Sequence, residues 1–233
     1  MSRQRCYSND NENLSPVLED YLVTILRLES IYGIAKTCKI AEELNVAPAT
    51  VSKILEKLRI RGFITWNKYQ GVKLSDKGRC RALKILRKHR IMERFLVEFL
   101  GFNKYEAHVY AHNMEHIPDE VVEKIYDLLG KPSTCPHGNP ISITDNNQDQ
   151  GHNTLDKVDI GQYYRVLRIT SELNNPLKII MSTGINVGIV LKIKDKNSSK
   201  IRIEIPSQKR ECDIDIEYAR LIHVIPCNDK DNE

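Results

Sequence analysis

The 233-residue chain is poor in several features, and each shortage removes a class of protein. No apolar run approaches the length of a bilayer-crossing helix, and the start, "MSRQRCYSNDNENLSP", lacks the apolar stretch of a secretory signal. A cytoplasmic protein with no membrane partner is the expectation. The six cysteines (Cys6, Cys38, Cys80, Cys135, Cys212 and Cys227) form no CxxC pair, so they read as free thiols in a reducing compartment rather than as a disulfide framework. The chain also has no HExxH, no nucleophile elbow and no phosphate-cradling glycine loop, which argues against an enzyme.

What is present is unevenly placed. The length suggests two domains, 41% hydrophobic residues can bury a core, and 28% charged residues keep it soluble. The net charge of +4 is modest, yet between Lys53 and Arg90 roughly a dozen Lys or Arg stand against only Glu56 and Asp76. Such a local field suits a polyanion, although a solvated basic face would look the same.

Along the chain, Ser15 and Pro16 open a helix whose apolar positions run through Leu18, Leu22, Ile25, Leu26 and Leu28 to Gly33. "CKIAEELNVAPATVSKILEKLRIRGFI" then has helix-turn-helix patterning: Ile40, Ala41 and Leu44 face inward on one helix and Val51, Ile54, Leu55 and Leu58 on the next. "FITWNKYQGVKLSDKG" alternates as strand, turn and strand, which is the wing of a winged helix. Its recognition helix would present Ala47, Pro48, Ala49, Thr50, Ser52 and Lys53 to a DNA major groove, with Lys68, Tyr69 and Lys73 of the wing near the backbone or minor groove.

Ser75 starts a long basic helix running to about Leu100; Asn103 with Glu106 resembles a capping box opening the next helix, and Pro118 begins one more, ending at Gly130. The capped helix carries "HVYAHNMEH". At helical spacing His108, His112 and His116 fall about 40° apart, and Glu115 lies about 20° to the other side of His108. Histidines on such a stripe are often merely structural, but His89 and Glu93 form a second i,i+4 pair one helix upstream, where antiparallel packing lets the two sets meet. Imidazole and carboxylate together suit a borderline divalent ion.

From Lys131 to Asn153 the composition is that of a linker, in which Cys135 and His137 could ligate a metal but, as two potential ligands on a loop without partners, read as incidental. Beyond Leu155, "QYYRVLRI", "GIVLKIKD", "KIRIEIP" and "LIHVI" are short β-like segments separated by turns at "SELNNP", "KNSSK" and "SQKRE". Four or five such strands imply a small antiparallel barrel.

The order winged helix, "RKHRIMERFL", "HVYAHNMEH", "CPHGNPI" and barrel resembles the DtxR/MntR family of metal-dependent transcriptional repressors over nearly all of residues 15 to 225. The stretch from "LDKVDIGQYYRVLRI" through "GINVGIVLKI" to "YARLIHVI" looks like the FeoA-type, SH3-like domain of some members. The resemblance implies a mainly α N-terminal part, a winged helix-turn-helix at 15–78 and a helical metal-binding and dimerisation domain at 79–131. A linker at 132–154, a small all-β SH3-like barrel at 155–226 and flexible tails at 1–14 and 227–233 complete the expected organisation.

It also implies two metal sites per chain: a primary one of Asp20, His112, Glu115 and His116, and an ancillary one of His89, Glu93 and His108. Some members add ligands from the C-terminal domain, where Glu172 and Asn175 lie near the matching segment. Iron-type members place sulfur ligands at the positions of Asp20 and His112, and manganese-type members place a Glu at the latter, so His112 matches neither and Fe(II) and Mn(II) both stay open. A homodimer that grips palindromic operator DNA when metal joins Asp20 to the histidine helix is the implied activity, with no organic cofactor. The rival readings are a winged-helix sensor of a small organic ligand with structural histidines, a metal-dependent hydrolase, and an adaptor for a Pro-rich partner.

Overall fold

The computed structural model describes residues 12–67, 69–142 and 152–228. Helix α1 (Pro16–Tyr32) begins with Pro16 in its first turn and ends at Gly33, whose φ of 73° closes the helix in the left-handed region. Helices α2 (Thr37–Leu44) and α3 (Pro48–Ile60) are joined through Asn45, also left-handed at φ 51°. Strands β1 (Ile64–Asn67) and β2 (Gly71–Leu74) pair antiparallel from Ile64↔Leu74 to Asn67↔Gly71, and Ala35 bridges to Val72 on the free edge. Leu22, Ile25, Leu28, Ile40, Val51, Leu55, Leu58 and Phe63 lie at the centre of this first core. Leu14, expected in a tail, is buried in it.

Helix α4 (Asp76–Glu98) is capped by the Ser75 hydroxyl, which accepts from Gly78 N at 3.1 Å. It packs on α1 and on α5 (Lys104–Met114), and α6 (Asp119–Leu128) closes a second core around Ile91, Met92, Leu96, Ala107, Ala111 and Val122. The Asn103–Glu106 capping box at the start of α5 is formed in both directions. The helix stops at Met114, so Glu115 and His116 leave the helical stripe and occupy its terminal turn.

The C-terminal part is a six-stranded antiparallel sheet, with β3 (Asn153–Thr154), β4 (Tyr163–Ile169), β5 (Val190–Lys196), β6 (Lys200–Ile205), β7 (Arg210–Asp215) and β8 (Ile222–Cys227) in the order β3-β8-β4-β5-β6-β7. Helix α7 (Asn174–Ser182) departs from the expected turn at "SELNNP": Leu177 and Ile180, three apart, bury one face of nine residues. Strand β7 is a polar outer strand, whose exposed side chains hide it from hydrophobic patterning, and α8 (Ile216–Ala219) follows it.

Two expectations need correction. Residues 131–142 are not a loose linker: Cys135, His137, Asn139 and Ile141 are each at most 2% exposed. The strap is laced to the sheet by Ile169 N donating to His137 O at 2.9 Å and Asn139 Nδ2 donating to Ile169 O at 2.9 Å. Gly138 makes this close approach possible, since at φ +80° a Cβ would sit 2.3 Å from the Leu167 carbonyl. Nor are all the cysteines free: Cys80 is disulfide-bonded. Cys38, Cys135, Cys212 and Cys227 are free.

Candidate metal centre and DNA-reading helix

Two linked clusters of imidazole and carboxylate sit where α1, α4, α5 and the 131–142 strap converge. In the deeper one, His89 and Glu93 are fully buried on α4 and His108 faces them from α5. The Glu93 Oε1 atom is the meeting point: His108 Nδ1 lies 2.8 Å away, His89 Nε2 3.2 Å and His137 Nδ1 3.3 Å. His89 Nε2 and His108 Nδ1 are themselves 3.0 Å apart.

In the second cluster His116 is held through both ring nitrogens, Nε2 donating to Asp20 Oδ1 at 2.7 Å and Nδ1 to Glu19 Oε2 at 2.8 Å. Glu19 also accepts from Arg81 Nε at 2.8 Å. Glu115 connects the clusters: its Oε2 accepts from His89 Nδ1 at 2.7 Å, while Oε1 lies 3.2 Å from His112 Nδ1 and 4.0 Å from His116 Nε2.

Charge follows from these contacts. Burial opposes a charged His89 ring, but the Glu93 charge and the hydrogen bonds to Glu115 and Glu93 win, raising its pKa to about 9. Hydrogen bonds to Asp20 and then Glu19 raise that of His116 to about 9. Burial dominates at His108 and lowers it to about 4. Burial would raise Glu93 and Glu115, yet the His137 and His89 charges hold the first, and the His112 and His89 rings the second, well below the usual carboxylate range.

These groups fit a divalent cation. His89, Glu93 and His108 place ligand atoms within 4.8 Å of one another, as do Asp20, Glu115 and His116, and His89, His112 and Glu115. Glu93 Oε2 and His137 Nε2 are buried without a hydrogen-bond partner, and His112 Nδ1 and Glu115 Oε1 face each other without hydrogen-bond alignment. Buried polar atoms seldom stay unsatisfied unless an ion or water completes them.

Of the C-terminal residues expected near the metal, Glu172 is instead paired with Arg90, accepting from Nε at 2.7 Å and from Nη2 at 3.0 Å, and it joins none of the ligand groups among the described residues. Asn175 is exposed on α7. Patterning missed Glu19, which is buried beside Asp20 and reads as one more surface acid, and it missed Cys135 and His137, whose spacing in "CPHGNPI" was visible but whose surroundings were not.

On the DNA-reading face, Ala47, Pro48, Ala49, Thr50 and Lys53 are exposed at the start of α3. Ser52 is half-buried and its hydroxyl donates back to Pro48 O at 3.2 Å. On the wing, Tyr69 is 95% exposed and Lys73 is exposed, while Lys68 lies outside the described residues.

A winged helix-turn-helix joined to helices bearing clustered divalent-metal ligands defines a class, the metal-responsive transcriptional regulators. Residues 13–72 match the family described as "Iron dependent repressor, N-terminal DNA binding domain", and residues 75–143 match "Iron dependent repressor, metal binding and dimerisation domain". The chain belongs to this DtxR/MntR family and is a metal-dependent DNA-binding transcriptional repressor.

It is 28% identical to the diphtheria toxin repressor of Corynebacterium efficiens over 197 residues, 78% of this chain and 84% of that protein. It is 37% identical to an HTH-type transcriptional regulator of Methanocaldococcus jannaschii over 51% of this chain and 96% of that one. Among solved structures, a manganese-dependent transcriptional repressor in complex with manganese superposes with a TM-score of 0.73 at 28% identity, over 90% of this chain and all of the other. No helix among the described residues is long and apolar enough to cross a membrane.

Proposed function

We propose that the chain represses metal-homeostasis genes by gripping operator DNA as a homodimer when Fe(II) or Mn(II) occupies two sites, a primary one of Asp20, His112, Glu115 and His116 and an ancillary one of His89, Glu93 and His108. The observation that carries this reading is the position of His116, which follows the end of α5 and reaches both Glu19 and Asp20 on α1. The primary site thereby ties the first helix of the DNA-reading part to the helical domain. A bound divalent cation would supply positive charge to Asp20 and Glu115 and a shared coordination sphere for them and the two imidazoles.

The chain's own residues do the rest. In the cation-free state a charged His116 already bridges the same helices, so the cation must displace its proton, and the ensemble shifts only as far as the two states differ in affinity. Glu115 couples this site to His89 through one carboxylate. Dimerisation is supported by apolar side chains left exposed on the helical domain: Phe99, Leu100, Val109, Tyr110, Val121 and Leu128 are 38–60% exposed. A symmetric pair would present two copies of α3 to successive major grooves, with Thr50 and Lys53 nearest the DNA.

The test is a DNA-binding titration against the gene's own upstream region at fixed ionic strength, with chelated protein and then with Mn(II), Fe(II) or Zn(II). Metal should tighten binding, and His116→Ala or Asp20→Ala should abolish that tightening while the circular dichroism stays unchanged. Tight binding indifferent to chelator would return the histidines to a structural role.

A further inference from the structure

A cavity of about 430 Å³ lies between α1, α4, the end of the strap and the β4 and β8 strands, and none of the seven proposed metal ligands lines it. Among the described residues its walls carry six arginines, Arg27, Arg79, Arg87, Arg90, Arg168 and Arg220, against the single carboxylate of Glu172. A recess lined by one sign of charge focuses the field that an open surface would disperse.

Four of these guanidiniums lie against carboxylates. Arg79 is held by Glu29, Arg87 by Glu123 and Arg90 by Glu172, while Arg220 Nε is 3.4 Å from Asp156 Oδ2. Arg168 Nε donates to the neutral Asn139 amide oxygen at 2.9 Å. Arg27 differs from all of them. It is 4% exposed, and its Nε and Nη2 atoms have no hydrogen-bond partner. The carboxylate it faces, Glu115 Oε2, stands 3.9 Å from Nη2 and already accepts from His89. A buried guanidinium left in this state is costly unless a further counter-charge completes it.

We propose that the cavity binds a small molecule carrying two or more oxyanion groups, carboxylate or phosphate, with Arg27 as its buried anchor and Arg168 and Arg220 as its contacts on the barrel side. The planar guanidinium fork matches the oxygens of either group two at a time. The volume is that of a small-molecule site. Such a ligand would touch α1 and the barrel at once and hold them together. It would give the protein an input of opposite charge to the cation and outside the cation's ligands.

Isothermal titration calorimetry tests the assignment on full-length protein stripped of metal and then freed of chelator, which is itself a polycarboxylate. Pyrophosphate and tricarballylate are the probes, with acetate at matched ionic strength as the monovalent control. At least one probe should bind one to one where acetate does not. Arg27→Met should weaken that binding about tenfold or more and Arg220→Ala about threefold, whereas Lys53→Ala on the DNA-reading helix should leave it unchanged. Binding of pyrophosphate alone assigns a phosphate ligand, of tricarballylate alone a polycarboxylate, and of both the shared charge pattern. If neither probe binds more tightly than acetate, the proposal is overturned. So it is if either arginine variant leaves the affinity unmoved, or if Lys53→Ala lowers it. The Arg220 side chain is 66% exposed, so its variant keeps the test decisive even where Arg27→Met does not fold.

Discussion

Replacing Glu115 by Gln keeps the shape of the side chain and removes the one carboxylate that joins the two clusters. Glu115 is fully buried, accepts from His89 Nδ1 at 2.7 Å and lies 3.9 Å from Arg27 Nη2. Arg27 is itself 4% exposed, with Nε and Nη2 lacking hydrogen-bond partners, so the amide would leave a buried guanidinium facing a neutral group. Removing one member of a buried ion pair costs about 3–5 kcal/mol. His89 can relieve part of the strain by losing its proton more readily, because the Glu115 hydrogen bond is, after the Glu93 charge, one of the causes that raise its pKa to about 9, so the lower end of the range is the safer expectation.

For a chain of this size each kcal/mol moves the midpoint by about 2–4 °C, so the chelator-treated variant should melt at least about 6 °C below the parent. The sign of the pH effect is also determined. Stability from a raised histidine pKa is complete below the unfolded value of 6.5 and is lost as pH rises through about 9, so the gap between parent and variant should narrow over that window. Thermal unfolding followed by circular dichroism in chelator reads both quantities. A variant melting within about 2 °C of the parent at neutral pH would refute the claim that Glu115 balances buried positive charge.

Gly138→Ala should lower stability by about 1–3 kcal/mol, because φ is +80° and the new methyl would meet the Leu167 carbonyl at 2.3 Å; a thermal midpoint equal to the parent's would contradict this. His116, raised to about 9 by Asp20 and Glu19, stabilises the chelated protein fully below pH 6.5 and loses that contribution as pH climbs through 9. The decline should be smaller in His116→Ala, and an identical pH profile would argue against the bridge. Lys53→Ala should weaken operator binding; if the contact is to phosphate, the slope of log affinity against log salt falls by about one, and unaltered affinity at every salt concentration removes Lys53 from the interface.

Much of this protein was legible because it is written locally. The helix-turn-helix pattern, the capping box at Asn103 and Glu106 and the pairing of His89 with Glu93 depend on residues a few positions apart, where helix geometry alone sets the outcome. The same local rule overreached at "HVYAHNMEH": the helix ends at Met114, so His108 turns to Glu93 while His116 turns to α1.

Asp20 reached the list of ligands through family resemblance, and its neighbour Glu19, 97 residues from His116 in sequence, was missed because only the packing of α1 on α4 and α5 brings them together. Composition misread "CPHGNPI" for a comparable reason: proline, glycine and polar residues signal a loop, which is correct locally, but they say nothing of what the loop lies against. The sequence by itself determined the elements and most of the ligand types. Tertiary structure alone decided that Glu115 joins two clusters, that Glu172 belongs to Arg90, and that Cys135 and His137 are buried at Glu93, because burial and long-range partners arise only when separate elements share a core.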